Sequence, residues 1–101
     1  MTISRGPPRP IPVPAGQERA VLFREIGSLL EVDASEVDVR GNLVEVYGVD
    51  ELEVFEYVQI AEDIWHVQLN PNPMNEIDFT KMINRFTTLD SIAAAAEAAR
   101  G

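Results

Sequence analysis

The run from Asp50 to Trp65 constrains this chain more than any other stretch. Val54, Val58, Ala61 and Trp65 recur at i, i+4, i+7 and i+11, the spacing that stacks side chains on one face of an α-helix. Leu52, Phe55, Tyr57, Ile60 and Ile64 widen that face, and Glu53, Glu56, Gln59 and Asp63 keep only a narrow polar stripe. A helix so largely apolar must be covered by other elements. Asp50 supplies an N-cap oxygen, and Glu53 three residues later makes a capping-box-like pair with Asp in place of Ser or Thr. Asn70-Pro71-Asn72-Pro73 closes the region, because these residues favour turns over continued helix.

The cover comes from three further helices. Residues 17–30 predict the first, with Leu22, Ile26 and Leu29 on one stripe and Phe23 and Leu30 beside it. Gly27 inside it costs helix propensity and allows close packing. Residues 31–49 keep no helical period; alternation over Leu43–Tyr47 hints at a strand, but no partner strand follows. We read a long ordered loop there. A third helix is expected over residues 75–85, with Phe79, Met82, Ile83 and Phe86 turned inward. A fourth starts at Thr87, where Thr87 and Asp90 fit a capping box, and runs through Ala93–Ala96 on a stripe of Leu89, Ile92 and Ala96. Trp65, Phe55 and Phe79 read as core. The expected fold is all-α, a four-helix bundle over residues 17–101 with a long loop between helices one and two. Residues 1–16 hold five of the seven prolines and read as a flexible, proline-rich tail.

Charge narrows the function. Between Gly41 and Thr80 there is no Lys or Arg but nine acids, so this middle segment holds the whole net charge of −9. Such a field repels nucleic acid and anionic lipid and attracts a basic protein surface. No apolar run approaches the roughly 20 residues of a membrane span, and the N-terminus lacks the apolar core of a secretory signal. The 101 residues contain no cysteine, which removes disulfides and thiolate chemistry and fits a cytoplasmic protein. His66 is the sole histidine and reads as a helix-end residue; Asp33, Glu36 and Asp38 lack calcium-loop spacing. No metal site, phosphate loop or nucleophile motif is present in the pattern.

The stretch from Leu30 to Leu69 resembles the acyl carrier (phosphopantetheine-binding) family. Val32-Asp33 and Val37 match its first loop, Gly48, Asp50 and Leu52 match its G-x-D-S-L motif, and Trp65 takes the place of the aromatic that ends the acidic helix. Phe86-Thr87-Thr88-Leu89 resembles the entry to the last helix. The resemblance covers roughly 85 residues and is gap-free through the loop. It implies an acyl-carrier-like fold and docking of the acidic helix on basic patches of partner enzymes. It also implies a 4′-phosphopantetheine arm on the serine between Asp and Leu. Here that position is Glu51, whose carboxylate cannot accept the phosphodiester. Val46 and Tyr47 depart from the usual acid and Leu.

Glu51 has two readings as a natural residue, beside a third in which it was introduced to block modification. An acid in the first turn of a helix gains roughly 0.3–1 kcal/mol from the exposed backbone N–H groups, which is reason enough for a drifted gene to keep it. Alternatively it holds negative charge near where the phosphate would sit. Ser91, in Leu-Asp-Ser-Ile, mimics the motif superficially but falls in the first turn of the last helix; Ser28 and Ser35 lack the context. The expectation is a non-catalytic interaction module without a cofactor. It would use Glu51, Glu53, Glu56 and Asp63 to meet a basic partner surface, such as that of a lipid or secondary-metabolite enzyme. Two alternatives stand beside it: a working acyl carrier whose serine was replaced or whose attachment is unusual, and an unrelated small all-α structural or regulatory protein.

Overall fold

Apolar spacing sets which stretches are helical, and local caps set where they stop. The computed structural model describes residues 13–69 and 78–101. Within these there are five α-helices: α1 (Glu18–Leu30), α2 (Leu43–Tyr47), α3 (Glu51–Trp65), α4 (Phe79–Arg85) and α5 (Leu89–Arg100), with a 3₁₀ turn at Ala34–Glu36 and no strand. The all-α expectation holds. The number of helices differs, because α2 lies in the segment read as loop.

α1 buries Val21, Leu22, Ile26 and Gly27. Its end is closed by Glu31 in the left-handed region (φ 59°), with the Val32 N–H donating to the Gly27 carbonyl at 2.8 Å. That six-to-one bond is the Schellman closure, here without the usual glycine. The chain turns back so tightly that a Cβ on Gly27 would lie 2.8 Å from the Val32 carbonyl and 3.0 Å from Val37 Cγ2. Glycine is what admits this approach. The cover over the last turn therefore comes on the Gly27 side, and Leu29, expected in the buried stripe, is 55% exposed.

Two backbone bonds tie the following segment to the start of α5: Asp90 N–H donates to Val39 O and Leu43 N–H donates to Thr87 O, both at 2.8 Å. α2 then forms because both of its ends are capped. The Asn42 side chain accepts from Val44 and Glu45 N–H, and Gly48 (φ 66°) ends the helix and donates to Val44 O. Leu43 is fully buried; Tyr47 accepts a 2.7 Å bond from Asp38 N–H. Leu43 and Tyr47, inward at i and i+4, follow helical spacing and not the alternation that hinted at a strand.

α3 is the central helix, packed on α1, α4 and α5. Val54, Val58 and Ala61 are fully buried, as are Leu89, Ile92, Ala93 and Ala96 of α5. Each buried Val, Leu or Ile contributes about 1.5–3 kcal/mol relative to exposure. Trp65 and Phe55 are core, and Phe55 meets the half-buried Phe79 edge to face at 5.7 Å. α4 starts at Phe79 under an Asp78 cap; the expected start at residues 75–77 and the Asn-Pro turn at 70–73 fall outside the described residues. α5 is capped by Thr88, not Thr87, in a complete capping box with Ser91. The one-residue shift has a tertiary cause: the Thr87 carbonyl serves Leu43, while Asp90 binds Val39 through its backbone and Arg19 through its side chain. Val13 is half-buried against the core, and no described helix is long and apolar enough to cross a membrane.

Candidate functional site

The start of α3 is built from local chemistry. Gly48 takes the positive φ that ends α2, Val49 is buried as an anchor, and Asp50 turns into the new helix in extended geometry. The Asp50 carboxylate accepts the Glu53 N–H at 2.9 Å, as its capping role predicted. Glu51 and Leu52 follow as the first two helical residues, and both face solvent, Leu52 with 59% of its surface open. Leu52 was expected on the apolar face. In the first turn it stands out instead as an exposed hydrophobe beside Glu51. Val44 and Val46 on α2 are exposed as well.

From Leu52 the outward positions continue through Glu56, Gln59 and Asp63, all exposed and spaced at three or four residues. Of the four acids read from the sequence, Glu51, Glu56 and Asp63 therefore present open carboxylates. Glu53 does not fully join them; it is half-buried and lies towards the core-facing Tyr57. Tyr57 records the field of this face. Burial raises its hydroxyl most, the nearby charges of Glu53, Glu56 and Asp50 add to that, and together they push it up to about 12.

Ion pairing lies elsewhere. Arg19 grips Glu97 through two bonds of 2.8 and 2.7 Å and reaches Asp90 at 2.6 Å, and Arg100 meets Glu18 at 2.8 Å. The hydrogen bonds from Arg19 hold the Glu97 carboxyl below its usual range, and the two acids hold Arg19 charged. Glu18 is also lowered, first by a backbone hydrogen bond at the helix start, against some burial, and then by Arg100. Glu51, Glu53, Glu56 and Asp63 take part in none of these pairs. This α1–α5 network had no signature in the sequence, because its partners are more than 70 residues apart.

A phosphopantetheine arm does not fit the residues present. Glu51 has no hydroxyl to esterify. The Ser91 hydroxyl is held inside the α5 cap, donating to Thr88 O at 2.6 Å and accepting from Thr88 N–H at 3.2 Å. Ser28 and Ser35 are exposed on α1 and the 3₁₀ turn, away from any Asp-x-Leu helix start. His66 is the exposed left-handed cap of α3 (φ 57°), consistent with a helix-end residue. Among the described residues no cluster of three or more His, Cys, Asp or Glu is arranged to hold a metal ion. What this face presents is a set of exposed carboxylates around an exposed leucine. Compared with protein-family models, curated proteins and solved structures, the chain matches none.

Proposed function

We propose that this protein is an acyl-carrier-like interaction module that has lost its attachment serine and docks through the outer face of α3 on a basic protein surface. The observation that carries the reading is the α3 face itself. Among the described residues Glu51, Glu56 and Asp63 are exposed and outside the ion pairs, while Arg19 of α1 and Arg100 of α5 are each spent on acids of the other helix. Unpaired like charges cost stability slightly, so a row of them kept on one face favours a partner that neutralises it. Leu52 at its end supplies an apolar contact of the kind that gives a charged face affinity as well as steering. The partner class remains an enzyme of lipid or secondary-metabolite synthesis, by the family resemblance. No cofactor and no catalytic step of its own enter this reading.

A pull-down with wild type and with Glu56→Lys/Asp63→Lys as bait tests the docking claim. The partner recovered by wild type should be lost from the variant, and equal recovery by both would refute it. The working-carrier alternative keeps the same face but requires an added arm on the unmodified chain. The unrelated all-α alternative predicts that restoring serine at position 51 restores nothing.

A further inference from the structure

We propose that residues 38–48 form a lid docked on the entry of α5, which opens as one unit while the rest of the fold stays closed. The segment is bonded to itself. The Tyr47 hydroxyl accepts the Asp38 N–H at 2.7 Å, the Asp38 carbonyl accepts the Gly41 N–H at 3.3 Å, and Asn42 and Gly48 cap α2 from within. This is the internal bonding of a compact surface loop whose ends lie close together. Val37 and Val49, both buried, bracket it and fix its two ends in the core.

Little beyond the segment holds it shut. Of the five residues of α2, Leu43 is fully buried, Tyr47 is half-buried, and Val44, Glu45 and Val46 are exposed. The main helix packings join α3 to α1, α4 and α5, and α1 to α5; α2 enters none of them. A helix of five residues does not survive undocked, so the lid opens by unravelling and not by swinging as a rod. Two backbone bonds close it on α5, from Leu43 N–H to Thr87 O and from Asp90 N–H to Val39 O. Both donors sit in the first turn of a helix, where an N–H has no acceptor within its own helix. Each amide is therefore covered only while the lid is shut. Asp90 belongs to two units at once: its amide is held by the lid, and its carboxylate is held by Arg19 at 2.6 Å. Opening adds Leu43 to the exposed Val44 and Val46, just ahead of the Asp50 cap of α3. Use of that state by a partner at the start of α3 rests on the docking reading above; the opening itself does not.

Native-state hydrogen exchange on the full chain tests the lid. The Leu43 and Asp90 amides should share one opening free energy with a shallow urea dependence. Corrected for sequence, they should exchange at least about tenfold faster than the slowest amides of α3. Asn42→Ala removes the α2 cap and should accelerate both by one common factor of roughly five. Gly48→Ala, strained at its positive φ, should again move the two together. Ala61→Gly, inside α3, should accelerate the slowest α3 amides and leave Leu43 and Asp90 unchanged, because lid opening keeps α3 intact. An Asp90 amide unmoved by Asn42→Ala would overturn the proposal. So would separate opening free energies for Leu43 and Asp90, or both amides following α3 in Ala61→Gly. None of these readouts uses a transferase or a partner enzyme, so failure here leaves the carrier-like reading to its own test.

Discussion

The α1–α5 seam and the outer face of α3 are both rich in acids, and they use them oppositely. In the seam every acid named has a cation: Glu97 and Asp90 share Arg19, and Glu18 holds Arg100. On α3, Glu51, Glu56 and Asp63 have none among the described residues. One surface has committed its charge and its close contacts to holding the fold. The other carries exposed charge that enters none of these pairs. The contrast separates residues that should cost stability when changed from residues that should cost only recognition.

The sharpest break of that contrast is at Gly27, on the committed side. Gly27→Ala forces the Val32 carbonyl and Val37 away and should cost about 1–3 kcal/mol in urea denaturation, while the exposed neighbour change Ser28→Ala stays within about 0.5 kcal/mol. Next is the cap of α5. Thr88→Ala should cost about 1 kcal/mol and Thr87→Ala much less, since only Thr88 accepts the Ser91 N–H; equal losses would contradict the register described. pH dependence should follow the same division. Glu97 and Glu18 are lowered in the fold from 4.5, so their contribution is present above that value and is lost as pH falls below it. At the other end Tyr57 is raised from 10.0 to about 12, so its contribution holds below pH 10 and is lost as pH climbs to about 12. Arg19→Ala should flatten the acid limb and, with both partners well exposed, cost no more than about 1 kcal/mol at neutral pH. Smallest of all, Glu56→Lys/Asp63→Lys should leave the unfolding free energy within about 0.5 kcal/mol of wild type in urea denaturation. A large loss there would show that the α3 face is structural after all.

What was legible in the sequence follows from the range of the forces involved. α3 announced itself because its cap at Asp50 and its buried Val54, Val58 and Ala61 are set by neighbours in the chain. α2 was hidden because five residues are too few for a period, and what holds them is Asn42, Gly48 and the distant Thr87 carbonyl. The Thr-Thr step before α5 allowed two cap registers, and contacts with Val39 and Arg19 chose between them. Leu29 and Leu52 matched helical stripes and are exposed, since periodicity says which face is apolar but not how far the cover extends. Of the candidate docking residues, Glu51, Glu56 and Asp63 lie open as read, and Glu53 is drawn partly inward beside Tyr57.

The proposed function turns on position 51, the first residue of α3, where the resemblance to acyl carriers calls for a serine and this chain has Glu51. Wild type and Glu51→Ser, each incubated with a phosphopantetheinyl transferase and coenzyme A, separate the readings by intact mass. The account predicts no change for wild type and addition of one arm to Glu51→Ser, located on the introduced hydroxyl. An arm on wild type, or a folded Glu51→Ser that stays unmodified, would contradict it.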